Sequence, residues 1–238
     1  MTQNIYLTDL ERALNDVETS YIVFNTYVGL QKDEKIEESD FFKPYLNENY
    51  IDDYILKFLD SQKEIKEHSL ERSFCSELYY TWKTIIKRNN NGHYKSLKLN
   101  AEISKTNLTL ALKSYEKLKN SRLFEKIKLN KLIDKTYFVP DLVLHGGQDN
   151  IDNQELIVEV KYYDNLKIGN FEEDFYKLAV YQQIFQFKTC VFLIINITIK
   201  QLLEYLNKID SKLVDNSNFW FMLKSENKIY TFNLHDLV

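Results

Sequence analysis

The stretch YFVPDLVLHGGQDNIDNQELIVEVKYY, residues 137–163, contains the pattern that decides the fold. It divides into two predicted strands, 137–145 and 155–163, which a polar loop joins. Side chains alternate across a strand, so Glu159 and Lys161 share one face of the second strand. Placing this pair within an apolar strand costs desolvation free energy. The pair therefore lies at an open edge of the sheet or has a function.

A second carboxylate comes from the first strand of the pair. Asp141 begins that strand directly after Pro140, and hairpin pairing would bring Asp141 close to Glu159. Mg²⁺ prefers oxygen and usually takes one or two carboxylates together with waters and phosphate oxygens. A neighbouring lysine, here Lys161, can position a water molecule and stabilise charge that develops on phosphorus. The stretch therefore predicts a divalent-cation site that acts on a phosphodiester.

The composition of the 238-residue chain is that of a folded domain. Hydrophobic residues make up 44% and charged residues 28%, with five Gly and two Pro, which argues against disorder. The net charge of −4 predicts that a nucleic acid would be bound through local patches or metal ions. Cys75 and Cys190 lack metal-ligand spacing and are expected to be reduced core residues of a cytoplasmic protein. We expect no signal peptide and no membrane partner, because the longest apolar run, residues 190–195, is too short to span a bilayer.

Hydrophobic periodicity predicts helices before the central stretch and a mixed α/β core around and after it. The predicted helices cover residues 8–30 (starting at Thr8), 50–58, 70–86, 107–135, 171–187 and 198–208. The further predicted strands cover residues 97–103, 189–197, 220–223 and 229–232, the last two as a hairpin. Nearly continuous hydrophobicity at 191–195 predicts a central strand covered on both faces. We expect a helical extension at residues 1–68 and the core at residues 69–238.

The motif residues resemble those of a known superfamily. Pro140 and Asp141, an intervening loop, and then Glu159, Val160 and Lys161 resemble the PD-(D/E)xK motif of restriction-endonuclease-like nucleases. The order of elements is also similar: a helix, a strand, the two motif strands, a helix and an apolar strand. The resemblance implies an α/β (α+β) fold with a restriction-endonuclease-like core, a mixed central sheet flanked by helices.

The resemblance also implies roles for these residues. Asp141 and Glu159 would bind Mg²⁺, or Mn²⁺ as its substitute, helped by the backbone carbonyl of Val160. Lys161 would orient the attacking water. The reaction would be in-line hydrolysis of a phosphodiester, with the metal stabilising the transition state.

The predicted helix at 171–187 adds a polar face. Asp174, Lys177 and Tyr181 are spaced by three and four residues, so they share one helix face. They resemble the D-x-x-K-L-x-x-Y helix that follows the active site in several nucleases of this superfamily, where the polar face is turned toward the metal or the substrate backbone. Gln182 lies near its end. An amphipathic helix with ordinary surface charges is the alternative interpretation.

Further carboxylates could complete the site. Many members of the superfamily carry a glutamate on the helix before the core, and Glu77 is the first choice for this metal ligand, with Glu71 second. Glu102, on the polar face of the strand at 97–103, is another candidate. Residues 113–135 hold eight basic and three acidic side chains and could contact a phosphate backbone. Ordinary solvent-facing side chains are the alternative at each place.

Together these patterns predict an enzyme, a Mg²⁺-dependent DNA endonuclease of restriction or phage-defence type. DNA is favoured over RNA, and the region before residue 90 would bind a target, a partner subunit or a second copy of the chain. The alternative is a catalytically inactive protein-interaction module of the same fold, although the intact Asp141, Glu159 and Lys161 argue against it. A glycosidase with two carboxylates would leave Lys161 unexplained.

Overall fold

The computed structural model describes residues 4–18, 53–89, 92–101, 122–126, 139–147, 153–162, 166–225 and 228–238, with the backbone alone at 53–70. The helices within these ranges are α1 (Ile5–Asp16), α2 (Asp53–Arg88), α3 (Leu123–Lys126), α4 (Ile168–Gln183) and α5 (Ile199–Leu206). The strands are β1 (Lys98–Ala101), β2 (Leu142–His145), β3 (Gln154–Tyr162), β4 (Thr189–Ile195), β5 (Phe219–Ser225) and β6 (Lys228–Asn233).

These strands form one mixed sheet in the order β1-β2-β3-β4-β5-β6. β2 is antiparallel to β1 and β3, the strands β3, β4 and β5 run parallel, and β6 returns antiparallel to β5. Parallel neighbours need a crossover connection. α4 supplies it between β3 and β4, and α5 lies in the connection between β4 and β5. The chain is therefore a mixed α/β protein, as predicted, with helices flanking the sheet.

Two apolar layers hold the helices against the two faces of this sheet. On one face, Phe171 of α4 lies in a core with Ile157 of β3. On the other face, Leu14 of α1 and Trp82 of α2 lie in a core with Val158 of β3. Adjacent residues of β3 thus enter opposite cores, as strand alternation requires. All residues of β4 are buried, which confirms the predicted central strand covered on both faces.

The predicted helix boundaries at the N-terminal side were wrong in two places. The helices predicted at 50–58 and 70–86 belong to one helix, α2, because the residues between them include no Gly or Pro and are mostly good helix formers. α1 is capped by Asn4, whose side chain accepts the Tyr6 N–H, while the Thr8 hydroxyl donates to the Asn4 carbonyl inside the helix. α1 ends at Asp16, and the rest of the prediction, from residue 19, lies outside the described residues.

The C-terminal half follows the predictions with shifted ends. α4 begins and ends earlier than predicted, and the turn after it contains Gln186 at φ +58°. β4 ends at Ile195 because Asn196 takes a φ of +61°, which no strand residue adopts. Thr198 caps α5 in a capping box with Gln201. The predicted hairpin is confirmed by the antiparallel pairing of β5 with β6.

Several predictions reach beyond the described ranges. The helix predicted at 107–135 is described only as α3, and most of the basic stretch lies outside. The boundary after residue 68 stays a prediction, although α2 runs through it and α1 buries Leu10 and Leu14 in the same core as the sheet. Among the helices described, none has the length and apolarity needed to cross a membrane.

Phe171 is the residue on which the α4 layer is expected to depend most. Its ring centroid lies 4.9 Å from that of Tyr205 and 5.2 Å from that of Phe192. Phe171→Ala is expected to lower the free energy of unfolding by about 3–5 kcal/mol, because it removes a buried ring and leaves a cavity. Ile168→Ala, at a position 38% exposed, should cost less than about 1 kcal/mol. Urea unfolding measures both, and equal costs would contradict this packing.

Candidate active site

The candidate site lies where β3 extends past the start of β2. Leu142, the first residue of β2, pairs with Val158, so residues 159–162 of β3 continue beyond it. Asp141 occupies this gap, and its Oδ2 accepts a hydrogen bond of 2.7 Å from the backbone N–H of Val160. One further step in the register places Asp141 opposite Glu159. Because β2 begins opposite Val158, it does not pair with the N–H of Val160. The Asp141 carboxylate accepts that hydrogen bond instead.

Glu159 is the most buried charged group of the site, at 1% exposure. Its Oε2 lies 2.7 Å from Nζ of Lys177 on α4. Its other oxygen, Oε1, is buried and has no hydrogen-bond partner in the described part of the chain. An unsatisfied buried carboxylate oxygen is costly, and a cation, a proton or a water molecule can satisfy it.

Lys161 lies between two helices. Its Nζ is 3.4 Å from Oε1 of Glu71 on α2 and 3.7 Å from Oδ2 of Asp174 on α4. The other oxygen of Asp174, Oδ1, is 3.7 Å from Nζ of Lys177, so Asp174 contacts both lysines. We call the resulting group the carboxylate–lysine cluster. Its members are Glu71, Asp141, Glu159, Lys161, Asp174 and Lys177.

The cluster holds more negative than positive charge. Four carboxylates and two ammonium groups leave an excess of two negative charges when all are ionised. Burial raises the pKa of Glu159 to about 8 against the opposing effect of Lys177, and the charge of Asp141 raises it further. Burial also raises the pKa of Asp141 to about 6, although Lys161 and the Val160 N–H favour its charged form. A divalent cation would neutralise this excess.

Both lysines are ammonium groups at neutral pH. Burial lowers the pKa of Lys161, but Asp174 and Glu71 outweigh it and the pKa lies above its ordinary value. The pKa of Lys177 is also raised, because Glu159 and Asp174 outweigh the effect of burial. The two side chains therefore act as cations and hydrogen-bond donors.

The glutamate that reaches the site from α2 is Glu71, the second choice, and not Glu77, the first. Glu71 lies on the buried face of α2 with Phe74 and Leu78. At about 100° per residue, Glu77 lies about 120° around the helix from Glu71. Glu71 is therefore the α2 glutamate that contacts Lys161, and the metal-ligand role of Glu77 stays a prediction. Glu102 lies outside the described residues.

Tyr181 and Gln182 make contacts at the C-terminal end of α4. Tyr181 is fully buried, with its ring centroid 5.5 Å from that of Phe185 and 6.1 Å from that of Phe187. Gln182 donates from Nε2 to the Asp215 carbonyl at 2.9 Å and accepts the Asp215 N–H at 2.8 Å. These contacts lie at the C-terminal end of α4, and the supporting roles predicted for both residues stay predictions. The rise of the helix moves residue 181 about 6 Å along the axis from residue 177.

Cys75 lies beside the cluster. The sequence predicted a core cysteine but not its position next to the site. Cys75 and Cys190 are both buried and free, as predicted. Burial raises the pKa of Cys75, and the charges of Asp141 and Glu71 raise it further. The sequence feature that could have predicted this position is the four-residue spacing between Glu71 and Cys75, which places the two side chains on one helix face.

Glu159 and Asp141 are the oxygen donors that fit a divalent cation. The unsatisfied Oε1 of Glu159 is a hard anionic ligand of the kind that Mg²⁺ prefers. Within the described ranges, no group of three or more His, Cys, Asp or Glu side chains is arranged to hold a metal ion. Two carboxylates completed by waters or phosphate oxygens remain consistent with Mg²⁺. For Val160, the contact observed is the N–H bound to Asp141, and the predicted role of its carbonyl stays a prediction.

The chain has no match among protein-family models, and no significant match among curated proteins or solved structures.

Glu159→Gln is expected to change how stability depends on pH. The pKa of Glu159 rises from an ordinary value of 4.5 to about 8 on folding. The folded chain therefore keeps a proton that the unfolded chain releases, and Glu159 lowers stability as the pH rises from about 4.5 to about 8. As the pH rises through this range in metal-free buffer, the free energy of unfolding of the variant should increase by at least about 1 kcal/mol relative to that of the parent chain. One pKa unit corresponds to about 1.4 kcal/mol.

Urea titrations in EDTA at several pH values measure this difference in the free energy of unfolding. Glu155→Gln is the matched control, because Glu155 lies on the same strand and its partner Lys188 is 56% exposed. The same pH dependence in both variants would contradict the assignment to Glu159.

Lys177→Met removes the cation that contacts Glu159. Breaking a buried ion pair by removing one partner costs about 3–5 kcal/mol. We expect the cost to be largest above about pH 8, where Glu159 is ionised in the parent chain, and smaller at about pH 6, where a proton neutralises it. Lys188→Met breaks a pair of the same 2.7 Å length with Glu155 near the surface and should cost less than about 1 kcal/mol. Equal losses in the free energy of unfolding, measured in urea, would show that the buried pair contributes no more to stability than the surface pair.

Proposed function

We propose that the chain is a metal-dependent phosphodiesterase with a restriction-endonuclease-like core, and that its substrate is nucleic acid. One observation carries this proposal: Oε1 of Glu159 is buried and unsatisfied next to Lys161 and Asp141, at the end of β3. A purely structural ion pair gains nothing from such an oxygen, whereas a cation-binding carboxylate requires one. The order of β2, β3, α4 and β4 along the chain is the order that the resemblance led us to expect, which supports the proposal.

Asp141 and Glu159 would hold Mg²⁺, or Mn²⁺ in its place, with the Val160 carbonyl as a further ligand. A bound divalent cation supplies Lewis-acid activation of the phosphoryl group and of the attacking water. The excess negative charge of the carboxylate–lysine cluster favours such a cation, and its binding would favour the ionised forms of both carboxyl groups.

Lys161 is suited to orient the attacking water and to stabilise charge on phosphorus. Contacts with Glu71 and Asp174 set the position of its ammonium group from two sides. Its raised pKa keeps the proton on Nζ, so Lys161 donates hydrogen bonds and does not accept the proton of the water. The water oxygen forms a bond to phosphorus as the bond to the leaving sugar oxygen breaks, and the proton of the water passes to solvent or to a phosphate oxygen.

Asp174 and Lys177 are positioning residues in this proposal. Lys177 holds one oxygen of Glu159, and this contact orients the other oxygen within the buried site. Asp174 lies between the two lysines and offsets the repulsion between their charges. The polar face of α4 therefore acts on the reaction through Glu159 and Lys161.

The biological setting is a further part of the proposal. The resemblance of the motif favours DNA over RNA and a role in restriction or phage defence. The free, buried thiols of Cys75 and Cys190 suit the reducing cytoplasm. Cutting both strands of a duplex would favour a second copy of the chain or a partner subunit.

A catalytically inactive interaction module of the same fold is the second candidate. The observation in its favour is that Glu71, Glu159 and Asp174 each contact a lysine, so the cluster holds itself together without a metal. The described residues also lack a metal-binding group of three ligands. The unsatisfied oxygen of Glu159 favours the catalytic proposal.

Cleavage assays on the full chain test the proposal. The substrates are supercoiled plasmid, single-stranded DNA and RNA, each with Mg²⁺, Mn²⁺ or EDTA. We expect cleavage with either cation and none in EDTA. Lys161→Ala, Asp141→Asn and Glu159→Gln should each lower the cleavage rate by about 100-fold or more, because each removes a group that binds the cation or stabilises charge in the transition state.

The matched controls are Glu155→Gln and Lys188→Ala, whose ion pair lies at the opposite end of β3. They should keep the rate of the parent chain. Cleavage that survives all three site substitutions would overturn the site assignment. A parent chain that cleaves none of the substrates with either cation would favour the interaction module.

A further inference from the structure

The outward face of the C-terminal half of α2 carries an aromatic and basic surface. Opposite the buried residues Phe74 and Trp82, this face carries side chains that we call the Tyr80 surface. Its members are the exposed Tyr80, Lys87 and Arg88 and the half-buried Tyr79 and Lys83. Tyr80 is 65% exposed and is the most exposed large hydrophobic side chain in the described part of the chain. An aromatic ring held this far into solvent gains little from the fold.

The aromatic and basic side chains of this surface are in mutual contact. The rings of Tyr79 and Tyr80 lie 5.5 Å apart in an edge arrangement. Nζ of Lys83 lies 4.8 Å from the centroid of the Tyr79 ring and 2.6 Å from its hydroxyl. Tyr80, Lys83 and Lys87 follow the spacing i, i+3 and i+7, so they share one helix face. The surface therefore presents a ring beside a row of cations.

The cations of the Tyr80 surface, Lys83, Lys87 and Arg88, form no ion pair with a carboxylate in the described part of the chain. The whole chain has a net charge of −4, so this positive charge is a local feature. Its charge is complementary to a polyanion.

We propose that the Tyr80 surface binds single-stranded nucleic acid. The Tyr80 ring stacks on an unpaired base, while Lys83 and Lys87 contact consecutive phosphates. Exposed aromatic rings combined with basic side chains are the features that bind single strands without sequence preference. A duplex hides the faces of its bases, so it offers the phosphates to this surface but no stacking partner.

The surface lies on the same helix as one residue of the carboxylate–lysine cluster. Tyr80 follows Glu71 by nine residues, which corresponds to about 14 Å along α2. The two side chains also lie about 180° apart around the helix, so a single strand that reaches both must pass around α2, and a strand of several nucleotides is long enough to do so. The inference thus deepens the proposed function by naming a single-stranded substrate or substrate segment, and this link rests on the proposed function.

Fluorescence anisotropy with a labelled oligothymidylate of about 20 nucleotides, longer than common single-strand site sizes, tests the inference. EDTA is present, so neither cleavage nor metal-dependent binding contributes. Tyr80→Ala is expected to weaken binding about tenfold, because a stacking contact is lost, and to leave the salt dependence unchanged. Tyr230→Ala, which removes a 40% exposed tyrosine on β6, is the matched control and should bind like the parent chain.

The charge of the surface is tested separately. The double variant Lys83→Gln and Lys87→Gln should reduce the slope of log affinity against log salt by about 1.4, since each phosphate contact on a single strand contributes about 0.7. Lys200→Gln with Lys208→Gln, at two exposed lysines elsewhere, should leave the slope unchanged.

Three results would overturn the inference: unchanged binding by Tyr80→Ala, equal losses in the control variants, or equally tight binding of the duplex. A fourth such result would be that Tyr80→Ala converts a dimer to a monomer in sedimentation and leaves oligonucleotide binding unchanged. The surface would then be a self-association site. A parent chain that binds the oligonucleotide in EDTA but cleaves no substrate with Mg²⁺ or Mn²⁺ would count against the proposed function alone. The failures of the two proposals are therefore distinguishable.

Discussion

The contact between Lys177 and Glu159 is the interaction on which the arrangement of the site depends. It places a 2.7 Å ion pair between α4 and the middle strand of a buried sheet. A carboxylate at this position of β3 would be prohibitively desolvated without a cation from the helix. Because side chains one residue apart on a helix point about 100° apart, the contact also fixes the rotation of α4 on the sheet. The position of Asp174 beside Lys161 follows from this rotation.

The face of β3 that lies beneath α4 changes from apolar to charged along the strand. Ile157 lies in the apolar core beneath α4, and the next residues on that face, Glu159 and Lys161, are charged. This change coincides with the start of β2 opposite Val158, beyond which Asp141 takes the place of a strand partner. The site therefore arises from unequal strand lengths at the carboxyl end of a parallel strand, the end at which open α/β sheets commonly bind ligands.

The α2 helix connects the chemistry of the site with the outer surface of the protein. Its buried face brings Glu71 to Lys161, and its exposed face presents Tyr80 with neighbouring lysines. Both arrangements concentrate charge in a chain whose overall composition is mildly acidic. Binding of an anionic substrate would thus depend on local features, the positive surface of α2 and a cation at the carboxylates, and not on the average field of the molecule.

The sequence by itself determined the parts of the structure that follow from backbone periodicity. Alternation predicted β3 and put Glu159 and Lys161 on one face, and helical spacing put Asp174 and Lys177 on one face of α4. Continuous hydrophobicity likewise predicted β4 as the covered strand. These features are local, because a few neighbouring residues and the geometry of one element are enough to fix them.

Only the tertiary structure decided which side chains meet across elements. It selected Glu71 over Glu77, placed Cys75 at the cluster, and assigned Tyr181 to the core. Each outcome depends on the rotation of a helix about its axis and on the point where a strand ends. Packing of the two apolar layers sets those quantities, and no local pattern in the sequence encodes them.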